Sequence, residues 1–282
     1  MNLTSKSSIQ PLLERYGFSF SKSLGQNFLI NAEIPRKIAE AGTLSDGECD
    51  VIEVGPGIGC LTVELSKKAK RVVTFEIDKK LIPVLDETLS DCHNVTVINE
   101  DIMKADVAAV IKEYDLKNVC VCANLPYYIT TPVIMKFLES EIDCKRITVM
   151  IQKEVADRFC AAPGSAEYGS VTASIAYYAN VEKHFKVSAD NFMPRPKVNS
   201  TVITFVPRET PPVDADKKTL FRVIKAAFAM RRKTLANNLA AEFGLSKDDA
   251  LAILAELGFQ PTVRGEALSL EEYAKIANRI YL

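Results

Sequence analysis

The chain has 282 residues, 48% hydrophobic and 25% charged, with a formal net charge of −1 and a pI of about 6.2. It has no low-complexity tract and no run near the roughly 18 apolar residues of a membrane span, and residues 1–20 lack the basic start and apolar centre of a secretory leader. These features exclude disordered, fibrous and membrane classes and predict a globular cytoplasmic protein of two domains.

Residues 22–29 read, from composition, as an N-terminal arm. From residue 50 onward, short Val- and Ile-rich runs alternate with amphipathic stretches. This predicts strands over 50–54, 71–77, 95–98, 118–123 and 146–151, with helices over 60–68, 79–89, 104–114 and 132–140. Such alternation specifies an open, doubly wound α/β sheet of Rossmann-like type. Residues 170–178 fit either period and are assigned to a helix. Two further strands are expected over 179–187 and 199–206, joined through Pro194 and Pro196 as a late antiparallel hairpin. Residues 207–216, with Pro207, Pro211 and Pro212, read as a linker. Beyond them the helical period, broken at Gly244, Gly258 and Gly265, predicts a small all-α domain. The expected division is therefore 1–208 and 209–282.

The seven cysteines include no CxxC pair, and Cys92 beside His93 is the nearest approach to metal-ligand spacing. Reduced core thiols and no metal are expected. The net charge conceals an asymmetry: residues 1–185 carry 20 basic and 25 acidic side chains, and residues 186–282 carry 15 and 11. Residues 217–241 hold seven basic side chains and no acidic one, which suits either a solvated helix face or a phosphate-binding surface.

Glu53-Val-Gly55-Pro-Gly57-Ile-Gly59 falls where the first strand meets a helix, so its glycines suit a tight turn that a ligand can approach closely. A glycine turn alone can be purely structural, and GxG loops also serve dehydrogenases. Here Cys60 occupies the third glycine position of the GxGxxG fingerprint, which disfavours a dinucleotide. Glu76 lies 21 residues after Gly55, at a second strand end, where a carboxylate can accept ribose hydroxyls. Asp101 follows the third strand. Each carboxylate alone reads most simply as solvated; together with the glycines they mark one crevice, suited to a mononucleoside cofactor such as S-adenosyl-L-methionine.

After the fourth strand comes Asn124-Leu125-Pro126-Tyr127, which resembles the motif of adenine-N6 methyltransferases. An exocyclic amine is a poor nucleophile because its lone pair is delocalised into the ring. The Asn124 side-chain oxygen and the Leu125 carbonyl would accept its two N–H groups and hold the lone pair toward a methyl donor, while Tyr127 offers a ring for a flipped base. The resemblance extends over nearly the whole chain to the ribosomal RNA adenine dimethyltransferases, nearest their bacterial small-subunit (16S) branch. It is carried by residues 22–29 (KSLGQNFL), 53–59 (EVGPGIG), 76–78 (EID), 100–101 (ED), 124–127 (NLPY), 152–156 (QKEVA), 192–198 (FMPRPKV) and 228–239 (FAMRRKTLANNL).

The resemblance implies that Asn27, Leu29, Gly55, Glu76, Asp101 and Asn124 contact S-adenosyl-L-methionine, with Gly57 in the same turn, and that Phe192 faces the target base opposite Tyr127. It implies a monomer that acts on 16S rRNA within the immature small ribosomal subunit. Lys22, Arg195, Lys197, Arg231, Arg232 and Lys233 are the expected RNA contacts. Two other readings compete: a 23S rRNA adenine methyltransferase of the macrolide-resistance type, and a non-catalytic ribosome-assembly factor that only binds RNA. Neither His93 nor His184 falls in a motif, so no general base is assigned.

Overall fold

Apolar residues at helical spacing give the first helix, α1 (Lys6–Arg15), a face of Ile9, Leu12 and Leu13, all buried. The computed structural model describes residues 1–21, 24–230 and 232–281. A two-residue strand, β1 (Phe28–Leu29), precedes α2 (Glu33–Gly42), whose Ile34, Ile38 and Ala39 pack into one cluster with sheet residues Val51, Val72 and Met150. Alternation then proceeds through β2 (Asp50–Val54), α3 (Cys60–Ser66), β3 (Arg71–Phe75), α4 (Ile82–Thr88), β4 (Val95–Ile98), α5 (Val107–Glu113), β5 (Val119–Asn124), α6 (Thr130–Leu138) and β6 (Cys144–Gln152). After α7 (Lys153–Phe159) and α8 (Ser170–Tyr178) come β7 (Ala179–Val187), β8 (Phe192–Met193) and β9 (Ser200–Pro207).

The main sheet has seven strands in the order β4-β3-β2-β5-β6-β9-β7, and β1 pairs with β8 as a separate antiparallel ribbon. The five strands from β4 to β6 run parallel, and β9 is antiparallel to β6. β2 and the first five residues of β5 are wholly buried, as expected for strands covered on both faces. At the start of β2, buried Asp50 accepts two hydrogen bonds from Arg71 of β3, at 3.1 and 3.0 Å, and one from the Lys117 amide at 2.6 Å. No helix among the described residues is long and apolar enough to cross a membrane.

The strands expected over 50–54, 95–98 and 179–187 and the helix over 170–178 occupy those bounds. Elsewhere local hydrogen bonding moves the ends. The Asp106 side chain accepts the Ala109 amide at 3.0 Å, so a helix expected from 104 begins at Val107. The helix expected over 79–89 divides into a 3-10 turn at Lys79–Leu81 and α4, with the Asp78 side chain capping the turn. α1, β1, α2, α7 and β8 were not expected from the sequence.

Two compact units emerge: Met1–Ala156 with Glu182–Pro207, and Asp157–Val181 with Arg208–Leu282. The second unit thus departs from the expected 209–282, because it also takes in α8. Its helices α9 (Lys217–Ala229), α10 (Leu235–Phe243), α11 (Lys247–Glu256) and α12 (Leu270–Tyr281) share one buried cluster with Tyr168, Ala173 and Tyr177. Those three side chains bury their apolar surface there, so the unit is discontinuous in sequence. Gly244 and Gly258, both with positive φ, end α10 and follow α11 as the sequence suggests.

At Gly265 the backbone approaches α9 so closely that a Cβ would fall on the Ala227 carbonyl, and the Tyr273 hydroxyl donates to the Gly265 carbonyl at 2.6 Å. Overpacking of this kind costs about 1–3 kcal/mol. Gly265→Ala should therefore lower the thermal midpoint of the helical unit, read by far-UV circular dichroism; an unchanged midpoint would mean the helices separate freely.

Candidate active site

The carboxyl ends of β2, β3 and β5 lie side by side, since Val54 pairs with both Phe75 and Ala123. The residues that follow these partners are Gly55, Glu76 and Asn124. Gly55, Gly57 and Gly59 all have positive φ, at 69°, 60° and 90°, so the turn into α3 uses backbone that other residues rarely adopt. A Cβ on Gly57 would stand 3.1 Å from the Phe28 ring, which packs against the loop.

Three carboxylates serve this end of the sheet in different ways. Glu76 is buried; its Oε1 accepts the Asp78 amide at 2.7 Å, and desolvation pushes its pKa up to about 7 against the stabilising pull of the Asp78, Gly57 and Ile77 amides. Asp101 is half-buried, and its Oδ1 accepts the Met103 amide at 2.9 Å. Glu53, on β2, is 1% exposed, and neither carboxyl oxygen has a hydrogen-bond partner within the protein. Burial drives its pKa to about 8, opposed by Thr62 and Thr74, whose hydroxyls lie nearby without meeting hydrogen-bond geometry.

The turn after β5 is fixed from both sides. The Leu125 amide donates to Met150 O at 3.2 Å, and Asn124 Nδ2 donates to Asn27 O at 3.3 Å. With its nitrogen so committed, the Asn124 amide presents Oδ1 as an acceptor. Tyr127 is half-buried, and its hydroxyl shares a 3.1 Å hydrogen bond with buried Ser200 at the start of β9. Burial raises the Tyr127 pKa, so the ring stays neutral.

The glycine turn, Glu76, Asp101, the Asn124 turn and Tyr127 line a cavity of about 310 Å³, and Glu53 lies outside that lining. Of the expected cofactor residues, Asn27, Leu29, Gly55, Gly57, Glu76, Asp101 and Asn124 all line it. Leu125, Tyr127 and Phe192 line it too. Phe192 reaches the wall because β8 pairs with β1, setting Leu29 opposite Phe192. The expected RNA contacts lie elsewhere. Arg195 and Lys197 are exposed beyond the lining, and Arg195 forms an ion pair with Asp190 at 3.2 Å. Arg232 and Lys233 are exposed in the other unit, between α9 and α10. Lys22 and Arg231 lie outside the described residues.

Sequence reading missed Gln26, Ile77, Met103 and Tyr128, which also line the cavity. Ile77, Met103 and Tyr128 are 48%, 37% and 56% exposed, apolar surface left beside the carboxylates and the Asn124 turn. Their adjacency to Glu76, Asp101 and Tyr127 was the available signal. Neither histidine lines the cavity, and His184 Nε2 shares a 2.7 Å hydrogen bond with Thr204. Among the described residues, no group of three or more His, Cys, Asp or Glu is arranged to hold a metal ion.

Comparison with known proteins adds three findings. The family model for ribosomal RNA adenine dimethylase matches residues 17–281. Proteins named ribosomal RNA small subunit methyltransferase A from Bacillus mycoides and Bacillus cereus are each 48% identical over 277 residues, covering 96% of this chain and 94% of the relative. Among solved structures, a dimethyladenosine transferase from Plasmodium falciparum aligns with a TM-score of 0.72 at 25% identity, over 88% of this chain and 95% of that one. The 23S rRNA methyltransferase ErmE aligns at 0.68 and 24% identity, over 90% and 100%, a likeness of fold.

The acid–base state of the buried strand residue Glu53 is testable. Its folded pKa of about 8 lies above the ordinary 4.5, so it contributes stability that is present below about 4.5 and is lost as pH rises toward 8. Glu53→Gln should be more heat-stable than the wild type at about pH 9, with the difference shrinking steadily toward about pH 5. Parallel melting curves across that range would contradict the assignment.

Proposed function

Because this chain belongs to the ribosomal RNA adenine dimethylase family, we propose that it transfers methyl groups from S-adenosyl-L-methionine to the N6 amine of adjacent adenosines in 16S rRNA. The product is N6,N6-dimethyladenosine, made as the small subunit matures in the cytoplasm, and the chain acts as a monomer. The observation that carries this reading is a single cavity that unites the glycine turn, Glu76 and Asp101 with the Asn124 turn, Tyr127 and Phe192.

The residues present fit the cofactor. A buried carboxylate whose pKa is raised to about 7 gains from donors that favour its ionised form, and ribose hydroxyls are such donors. Glu76 would hold them, Asp101 would lie near the adenine with Ile77 and Met103 beside it, and Asn27, Leu29, Gly55 and Gly57 would form the remaining contacts. When bound, S-adenosyl-L-methionine supplies an electrophilic sulfonium methyl. The protein's own work is on the amine: Asn124 Oδ1 and the Leu125 carbonyl accept its hydrogens and direct its lone pair. Tyr127, anchored to Ser200, and Phe192 take the flipped base between rings, where stacking contributes roughly 1–3 kcal/mol. With no histidine in the cavity, the proton released after transfer passes to water.

The test is to map dimethyladenosine in ribosomal RNA from cells carrying the wild-type gene, no gene, or Asn124→Ala. The modification should appear in 16S rRNA with the wild type alone, while the purified variant keeps its fold and RNA affinity. Modification in 23S rRNA would overturn the substrate; near-normal single-turnover rates for Asn124→Ala would overturn the residue's role.

The second unit supplies the RNA grip in this reading. Its 217–241 stretch carries seven basic and no acidic residues, and Arg232 and Lys233 stand exposed. Arg195 and Lys197 would add contacts from the cofactor-binding unit; the exposed Arg195–Asp190 pair is weak enough to yield to a phosphate. Arg231, Arg232 and Lys233 replaced together by Ala should weaken binding to immature small subunits, flattening the slope of log affinity against log salt by about 0.7 to 0.9 per lost contact. S-Adenosyl-L-methionine affinity should not move. An unchanged slope would reduce the stretch to a solvated face.

A further inference from the structure

The segment 24–29 lines the cavity from one side, and it is anchored at three separate places. Its end pairs with β8, continued by the Ile30 amide donating to Asn191 O at 2.9 Å. Its middle is held by Asn124 at Asn27 O. The third anchor is Gln26. Its Oε1 accepts the Ser21 amide at 2.9 Å, and its Nε2 donates to Asp78 Oδ2 at 2.8 Å. Asp78 in turn gives its amide to Glu76 Oε1 at 2.7 Å and caps Lys80 through Oδ1 at 3.1 Å.

We infer that Gln26 and Asp78 are a positioning pair, a latch that holds this strap at the wall of the cavity that would take S-adenosyl-L-methionine and steadies the Glu76 carboxylate on the same wall. The inference rests on the function proposed above. The β1–β8 pairing and the Asn124 bond hold residues 27–30, and the Gln26 tie lies ahead of them in the strap. This one joins the strap to the stretch that presents Glu76. The residue types suit the task. Glutamine carries an acceptor and a donor on one planar group, so it bridges an amide and a carboxylate at once. A hydrogen bond to an ionised acceptor is shorter and stronger than a neutral one. Because Asp78 uses its backbone to hold Glu76 and its side chain to hold Gln26, movement of the strap away from Asp78 disturbs the ribose acceptor directly. Neither residue reaches the reacting amine in this scheme, so the latch governs how long the donor stays rather than how fast the methyl moves.

The test uses the full chain and measures S-adenosyl-L-methionine binding by calorimetry and its release by stopped flow, with methyl transfer assayed separately. Gln26→Glu keeps the acceptor for Ser21 but removes the donor and sets two carboxylates against each other. It should weaken binding about tenfold or more, the loss expected for a broken charge-assisted hydrogen bond, mainly through faster release. KM for the donor should rise while kcat at saturation stays within about twofold. Adding Asp78→Asn to Gln26→Glu restores a donor facing the new carboxylate and keeps an acceptor for Lys80. That double variant should recover most of the lost affinity, which damage to the fold would not allow. Equal binding by wild type and Gln26→Glu, or a double variant as weak as the single, overturns the latch. A wild-type chain that binds no donor overturns the functional reading and the latch with it.

Discussion

Parallel hydrogen bonding between β3, β2 and β5 is the constraint from which the site follows. Val54 faces Phe75 on one side and Ala123 on the other, so the next residues, Gly55, Glu76 and Asn124, emerge at one level of the sheet. A slip of one residue in either pairing would turn alternate side chains to the opposite face and separate these groups. The register is secured at the far end by Asp50 and Arg71, whose paired hydrogen bonds join the first residues of β2 and β3. Asp50 is buried and fully engaged, with Lys117 as a further donor, so its charge is compensated where a lone carboxylate would be costly.

The opposite arrangement holds toward the carboxyl ends of these strands, where Glu53 is left unsatisfied. Glu53 lacks hydrogen-bond partners for both oxygens, and burial keeps it neutral up to about pH 8. Glu76 receives backbone amides, and desolvation nonetheless pushes its pKa up to about 7. Glu53 is not among the cavity's lining residues, so its two unpaired oxygens are a cost to the stability of the fold, whereas Glu76 faces the cavity.

The two units differ in the side chains they present. The α/β unit builds a recess lined by exposed apolar residues and acceptors, and no Lys, Arg or His is among its described lining residues, so it suits a nucleoside better than a phosphate backbone. The helical unit has its own core around Tyr273, Leu220 and Leu239 and carries the basic 217–241 stretch on helices and turns.

Local pattern sufficed where the determinants are local. The β2 and β4 bounds, the glycine turn, and Glu76, Asp101 and Asn124 as strand-end residues follow from strand and helix alternation and from residue types that tolerate tight turns. Tertiary structure decided what depends on distant partners. β1 is two residues long and exists only because Phe192 and Met193, more than 160 residues later, offer it a ladder. α8 joined the helical unit because Tyr168, Ala173 and Tyr177 found buried surface there, which adjacency in sequence could not reveal. Gln26 meets Asp78 across 52 positions, and no spacing rule links an arm residue to a strand end. The raised pKa values of Glu53 and Glu76 are likewise products of burial. The sequence by itself determined which groups the protein carries and at which strand ends they stand; packing alone decided which of them lose water, and therefore which are neutral, which are charged and which are free to accept a ligand.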